Sequence, residues 1–218
     1  MRVAVYWAPP AADPLFALGS AWLGRDAETG LALPQPEIPD LAALTESPRR
    51  YGFHATLKAP IMLAGTFDSF LADARALART LKPAPLPSLA VRGLDGFAAL
   101  CPTLECPELT ALAASVVTEL DHHRLAEEPD KQARRSLGRT PAQTAYLARW
   151  GYPFVLDEWR FHMTLSNTGA ATPSLLAAAT RHFATALGRE EVVGELAIFV
   201  EPNPGAAFRL AARLPLAS

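Results

Sequence analysis

A chain of 218 residues is long enough to bury a sizeable core, and its 50% hydrophobic and 19% charged residues exclude an intrinsically disordered protein. The net charge of −2 excludes bulk non-specific binding to nucleic acid, although it leaves room for a local basic cleft. The two cysteines, Cys101 and Cys106, cannot form a disulfide framework for a chain of this size. Pro9 and Pro10 interrupt the N-terminus too early for a signal peptide, and no apolar run approaches the length of a membrane span. We therefore expect a reduced, cytoplasmic protein with no membrane partner.

The first half of the chain shows strand and helix signals in alternation. Residues 2–8 form a β-rich run ended by prolines, and Asp13 followed by Pro14 is the pattern of a helix start. The predicted elements are a strand over 2–8, a helix over 14–23, a Pro-rich connection over 25–50, a strand over 51–58, a helix over 67–81, and a hairpin of strands over 86–92 and 97–101. A connection as long as 25–50 is typical of a functional loop or a lid.

The second half repeats much of this order. Its predicted elements are a helix from Pro107, a polar segment over 125–140, a short helix over 141–150, a strand over 160–166, a helix over 173–187, and strands over 192–201 and 207–214. His122 and His123 follow the first of these helices, where cations favour the helix C-terminus. That structural role is the one we expect for them.

Two short stretches echo each other, one in each half. Both read Phe-His-x-Thr-Leu, and His162 follows His54 by 108 positions. Since side chains alternate across a strand, each His shares a face with the Thr two residues later, while the apolar neighbours face a core. We expect Thr56 and Thr164 to accompany the two histidines around one cavity.

The repeated layout predicts the fold class. We expect an α+β protein, internally duplicated, in which residues 1–218 form one bilobal domain whose lobes share strands. Two antiparallel sheets would face a central cleft, with the helices outside.

Two histidines across a cleft suit a reaction that needs one base and one acid, because an imidazole titrates near neutral pH. Phosphodiester cleavage has this demand, and the threonine hydroxyls could bind phosphate oxygens. Lys58 continues the face of His54, while Arg160 and Ser166 continue the face of His162; all three could equally be solvated strand ends. A metal site is the weaker interpretation, since Thr is a poor ligand and no third ligand lies at metal-like spacing near either motif.

The paired motifs resemble the two H-x-T/S-x motifs of the 2H phosphoesterase superfamily, which includes LigT-like proteins and RNA 2′,3′-cyclic phosphodiesterases. A closer resemblance is to the DUF1045 branch, a group linked to phosphonate metabolism. The stretches that carry it are Ala8-Pro9-Pro10, Trp22-Leu23-Gly24-Arg25, the run from Pro48 to Pro60, the run from Trp150 to Phe154, and the run from Asp157 to Leu165.

This resemblance implies a LigT-like bilobal fold and metal-independent chemistry on cyclic or linear phosphodiesters, with no cofactor. His54 and His162 would form the acid–base pair, with the roles unassigned, and Thr56 and Thr164 would bind phosphate. The partner would be a small phosphorylated substrate such as a ribose 1,2-cyclic phosphate, in preference to an RNA end. The candidate phosphate-binding cations are Lys58, Arg49, Arg50 and Arg135, and the candidate walls for a ribose or base are Tyr6, Tyr51 and Tyr152.

Two other functions stay open from the sequence. A binding module could use the same His, Thr and Lys side chains to hold a phosphorylated ligand or RNA end without turning it over. An RNA-end ligase would need a wide basic groove, and the sequence shows no basic stripe long enough for one.

Overall fold

The computed structural model describes residues 1–217, and it mixes helices with antiparallel strands as expected for an α+β protein. The strands are β1 Arg2–Trp7, β2 Ala55–Met62, β3 Ala84–Leu86, β4 Leu89–Leu94, β5 Phe97–Pro102, β6 Met163–Thr164, β7 Glu191–Val193, β8 Glu195–Glu201 and β9 Arg209–Pro215. The helices are α1 Pro14–Leu23, α2 Leu41–Leu44, α3 Glu46–Tyr51, α4 Phe67–Ala78, α5 Pro107–Glu119, α6 Pro129–Ser136, α7 Pro141–Trp150 and α8 Pro173–Phe183. Single 3-10 turns cover Asp121–His123 and Leu156–Glu158. Within residues 1–217, no helix is both long and apolar enough to cross a membrane.

The strands build one large sheet and one small one. The large sheet has seven strands in the order β4-β5-β6-β2-β1-β8-β9, with antiparallel neighbours throughout, and β3 pairs with β7 separately. The antiparallel α+β class is therefore confirmed. The expected arrangement of two sheets facing a cleft is not what the strand order gives, because the two motif strands β2 and β6 are direct neighbours in one sheet.

β1 lies inside this sheet and is buried on both faces. Val3, Val5 and Trp7 belong to the larger hydrophobic core, whereas Ala4 and Tyr6 belong to a smaller cluster on the opposite face. Side chains of β1 therefore alternate between two buried faces, and the predicted strand over 2–8 is confirmed. The small cluster matters for function because it forms the floor beneath the first motif histidine.

Helix α1 follows its sequence signals. The Asp13 carboxylate accepts a hydrogen bond from the Leu15 N–H, and Gly24 ends the helix in the left-handed conformation at φ +73°. Gly19, in the middle of α1, allows the Phe53 ring to approach closely, since a Cβ there would lie 2.1 Å from that ring. The first motif is thus seated directly against α1.

Several predicted elements differ in extent. The connection over 25–50 contains α2 and α3 and is anchored: buried Arg25 donates to the Phe208 carbonyl and Arg49 donates to the Leu23 carbonyl. The polar segment over 125–140 contains helix α6, which has no buried residue and therefore lacked an apolar stripe to predict it. The last helix ends at Phe183, and Gly194 separates β7 from β8 where one strand was expected.

Candidate active site

The two motifs meet through direct strand pairing. β2 and β6 are antiparallel, with Ala55 opposite Met163. Both motif strands begin later than predicted, and His54 and His162 come directly before them. Continuing the same antiparallel register places His54 beside Thr164 and Thr56 beside His162. Because Ala55 and Met163 are fully buried on the core side, the two His–Thr pairs share the other face. Diagonal neighbours on such a face have Cα atoms about 7–8 Å apart, which leaves room for a phosphate group between the imidazoles.

Two tryptophans hold the motif strands in place. The Trp22 indole N–H donates to the Leu165 carbonyl, and the Trp159 indole N–H donates to the Thr56 carbonyl, each at 2.8 Å. Trp22 comes from α1 and binds the second motif, while Trp159 comes from the segment before the second motif and binds the first. Each indole therefore links the two halves of the site.

His54 is held by three neighbours. Its Nδ1 lies 2.8 Å from the Gly52 carbonyl and its Nε2 lies 3.2 Å from the Thr56 hydroxyl, while its ring stacks on Tyr6 at a centroid distance of 3.7 Å. A carbonyl only accepts, so Nδ1 carries the proton and Nε2 is the free base. The pKa of His54 is lowered from 6.5 to about 4, because burial and the nearby His162 outweigh the opposing effect of the Gly52 carbonyl, with burial the largest cause.

His162 is held in a similar way with different neighbours. Its Nδ1 lies 2.9 Å from the Arg160 carbonyl, which again places the proton on Nδ1, and Phe97 flanks the ring at 5.5 Å. Burial lowers the pKa of His162, and the Arg160 guanidinium lowers it further. The Arg160 carbonyl and the Asp95 carboxylate oppose this by stabilising the imidazolium.

Both histidines open onto one cleft of about 330 Å³. It is lined by Tyr6, Ser47, Pro48, Tyr51, Gly52, His54, Thr56, Ala59, Pro60, Phe97, Tyr152, His162, Thr164, Ser166, Asn167 and Thr168. The described residues that line the cleft include no lysine, arginine, aspartate or glutamate. A bound anion would thus meet hydroxyls, an amide and two imidazoles, and its charge would raise the pKa of both histidines. The sequence prediction of His54, His162, Thr56 and Thr164 around one cavity agrees with this geometry.

The cleft continues in two directions. On the His162 side it joins a mainly apolar recess of about 110 Å³ whose walls include Leu94, Phe97, Phe154 and Trp159. Past Tyr51 and Tyr152 it joins a groove of about 620 Å³. The basic residues lining that groove are Arg2, Arg124, Lys131 and Arg135.

Lys58 does not continue the face of His54 and Thr56. β1 pairs Tyr6 with Thr56 but Val5 with Lys58, so Leu57 is an extra residue and the alternation shifts by one. The Lys58 amine is buried on the other side, where it donates to the Val117 carbonyl at 3.0 Å and to Asp121 at 3.1 Å. The prediction that Lys58 binds phosphate is therefore wrong, and Ala59 takes its place in the cleft wall.

The predicted arginines are also engaged elsewhere. Arg49 binds the Leu23 carbonyl and Arg50 forms an ion pair with Glu201, so neither reaches the cleft. Arg135 pairs with Glu127 and lines the adjoining groove instead of the histidine cleft. The sequence could not show this for Arg50, because Glu201 lies 151 positions away.

The remaining residues that the sequence placed near the site lie in different positions. Tyr6 and Tyr152 do line the cleft, and burial raises the pKa of both hydroxyls. Ser166 lines it as well, but its hydroxyl accepts from the Ala98 N–H and donates to the Asn167 carbonyl. Arg160 pairs with Asp95 on the wall of the apolar recess.

Several residues of the site carried no sequence signal that we recognised. Phe97 beside His162 follows the Asp95-Gly96 turn of the β4–β5 hairpin, and only the pairing of β5 with β6 brings it to the site. Asn167 follows the second motif directly, and its side chain bonds Ala43 and Ser47 at 2.8 and 2.9 Å, which seats α2 and α3 against that motif. The position of Asn167 directly after the second motif is the sequence signal that could have identified it.

Comparison with known protein families assigns the chain to one of them. Residues 56–209 match the family described as "Protein of unknown function (DUF1045)", and the chain belongs to this family. The predicted DUF1045 membership is thus confirmed.

Two curated relatives carry the name ribose 1,5-bisphosphate phosphokinase PhnN. The protein from Laribacter hongkongensis is 42% identical over 216 residues, which cover 96% of this chain and 50% of that protein. The protein from Janthinobacterium sp. is 37% identical over 228 residues, covering 98% of this chain and again 50% of the relative. The chain therefore spans about half the length of the curated relatives it matches.

Solved structures that align over nearly the whole chain are more distant. Escherichia coli LigT complexed with 3′-AMP aligns at 12% identity with a TM-score of 0.49, covering 100% of this chain and 98% of LigT. A protein described as a phosphoesterase aligns at 11% identity with a TM-score of 0.48, over 100% of this chain and 98% of its own. Likeness at this level is weak.

Proposed function

We propose that the protein is a 2H-type phosphoesterase that hydrolyses a small cyclic phosphodiester without a metal ion. The observation that carries this is the diagonal placement of two imidazoles with unprotonated Nε2 atoms and two threonine hydroxyls on one face of the paired motifs. Such a set supplies both proton transfers of phosphodiester hydrolysis and donors for the phosphate oxygens.

In this mechanism, His54 Nε2 takes a proton from the attacking water and His162 Nε2 gives a proton to the departing sugar oxygen. His54 is suited to the base role because its pKa of about 4 keeps it neutral. Burial lowers the pKa of His162, but the Arg160 carbonyl, the Asp95 carboxylate and a bound phosphate all favour its protonated form, which suits it to the acid role. Thr56 and Thr164 bind the non-bridging oxygens, with Thr56 turning from His54 to the phosphate when substrate arrives.

The substrate we favour is the 1,2-cyclic phosphate of a ribose, and of ribose 5-phosphate in particular. Water addition to phosphorus with cleavage of the bond to O2 leaves the phosphate on O1 and a hydroxyl on C2. From 5-phosphoribose 1,2-cyclic phosphate this gives ribose 1,5-bisphosphate, the compound in the name of the two relatives. The groove beyond Tyr51 and Tyr152 supports a second phosphate on the substrate, because its four basic residues outnumber the two acidic ones, Glu127 and Glu128.

The reaction is tested by ester release in EDTA from a panel of substrates. The panel holds ribose 1,2-cyclic phosphate with and without the 5-phosphate, nucleoside 2′,3′-cyclic phosphates and short RNAs with cyclic ends. We expect turnover of the ribose compounds by the wild type and none by the His54→Ala/His162→Ala double variant. Saturable binding without product for every compound would instead establish a binding module, and activity lost in EDTA but restored by a divalent metal would contradict the metal-free mechanism.

The role of the groove is tested separately. Arg135→Gln should raise KM for the 5-phosphorylated compound and leave KM for the compound without that phosphate unchanged, because only the former reaches the groove. Arg134→Gln, an exposed neighbour on α6, is the matched control. An equal rise in KM for both compounds would contradict a phosphate site in the groove.

A further inference from the structure

A cluster of three potential metal ligands lies outside the cleft. Asp73 Oδ2 on α4 is 3.2 Å from His122 Nε2 and 2.9 Å from His123 Nε2, and the three atoms all lie within 4.8 Å of one another. Asp73 is 49 positions from His122, so the chain sequence gave no metal-like spacing. The two histidines sit in the 3-10 turn that follows α5.

From this convergence we propose that Asp73, His122 and His123 form a binding site for a divalent transition metal such as zinc. Imidazole nitrogens with one carboxylate oxygen form a set that favours Zn²⁺, Co²⁺ or Ni²⁺ over Mg²⁺ or Ca²⁺. In a tetrahedral site with metal–ligand bonds of about 2.0–2.1 Å, the ligand atoms lie about 3.3 Å from one another. The distances from Asp73 Oδ2 to the two histidine Nε2 atoms are already close to this value. Water would complete the coordination on the exposed side.

The surroundings hold the ligands in position. The His123 side chain is 7% exposed, its ring meets Phe70 edge-on at 5.4 Å, and its carbonyl accepts from the Ala64 N–H at 2.9 Å. His122 and Asp73 are about half exposed, which gives an ion a way in. One ligand is therefore rigid and two are accessible, and an ion would join α4 to the turn after α5.

The site is separate from the proposed chemistry. His54 comes just before the first residue of β2, and Ala64, which bonds to His123, comes just after its last residue. A strand of this length spans about 25–30 Å, so the two sites lie far apart. A metal there would stabilise the fold without touching the histidine cleft, while Arg124, next to His123, lines the adjoining groove. Asp121, in the same turn, pairs with Lys58 and Arg124, so the ion would also order the segment that neutralises the buried Lys58.

The test is calorimetric titration of tag-free, chelator-treated protein with ZnCl2 at neutral pH. We expect one ion per chain, and Asp73→Asn and His122→Ala should each weaken binding at least about tenfold, since even indirect ligand supports are worth that much. Asp68→Asn, an exposed carboxylate on the same helix, controls for lost charge. Co²⁺ should give visible absorption bands of a four- or five-coordinate ion that vanish in Asp73→Asn.

The cleft histidines provide the decisive comparison. The His54→Ala/His162→Ala variant should keep the zinc stoichiometry of the wild type, while Asp73→Asn should keep wild-type ester hydrolysis in EDTA. No zinc binding by the wild type, unchanged binding by Asp73→Asn, or binding that disappears with the cleft histidines would each overturn the proposal. A failure of ester hydrolysis in the wild type would leave it standing.

Discussion

The two halves of the candidate site carry the same sequence motif in unlike surroundings. His54 stacks on Tyr6 and its Nε2 meets the Thr56 hydroxyl, in a pocket formed by the small aromatic cluster. His162 lies beside Phe97 with the Asp95–Arg160 ion pair nearby. The identical Phe-His-x-Thr-Leu stretches therefore fix where the imidazoles sit, while the residues around them decide which imidazole holds a proton more readily. A symmetric motif can serve an asymmetric reaction for this reason.

The largest expected effect comes from removing either histidine. His54→Ala and His162→Ala should each lower kcat for the ribose cyclic phosphate by about 10²–10⁴-fold, the contribution typical of one acid or base. Initial-rate kinetics measure this, and thermal melting checks that both variants fold. His182→Gln, at a histidine bonded to the Leu18 carbonyl outside the cleft, should retain activity. Full activity in folded His54→Ala would end the acid–base proposal.

The threonines should have the next largest effect. Thr56→Val and Thr164→Val keep the side-chain shape but remove a hydroxyl that binds a charged phosphate, so KM should rise roughly tenfold or more. Steady-state kinetics on both variants compares the halves directly. A rise in KM for only one of them would show that the phosphate is held from one strand, contrary to the diagonal placement.

A smaller effect should appear in the pH dependence. The profile of kcat/KM should rise as His54 loses its proton near pH 4 and fall as His162 loses its proton below pH 6.5. Asp95→Asn removes a charge that favours imidazolium, so its alkaline limb should move to lower pH by less than about one unit while the acid limb stays in place. If the acid limb moved instead, His162 would be the base and His54 the acid, which reverses the proposed roles.

The smallest effect on activity is expected at Lys58. Lys58→Met should leave KM unchanged, because the amine faces Asp121 on the far side of the sheet. Loss of its buried hydrogen bonds should lower stability by about 1–3 kcal/mol, measured by urea unfolding. Lys82→Met, at an exposed lysine, provides the control for removing a charge. A strong rise in KM would return Lys58 to the phosphate site.

The sequence predicted most of the elements and the centre of the site, because those depend on local patterns. Alternation alone placed His54 with Thr56, and Asp13 followed by Pro14 located the start of α1. The positions of the basic residues around the site could not be predicted in this way. The bulge at Leu57 reverses the side of Lys58 without any sequence mark, and the partner of Arg50 comes from the other end of the chain. The pairing of the two motif strands likewise depends on long-range contacts.

The two indole hydrogen bonds also make the site observable by fluorescence. Of the four tryptophans, Trp22 and Trp159 donate to the backbones of the two motifs, so a ligand that shifts either strand changes the surroundings of an indole. The chain thus carries two built-in emission probes, one attached to each half of the cleft. Replacing them singly with phenylalanine would tell which strand moves when a phosphorylated compound arrives, with no dye or label added.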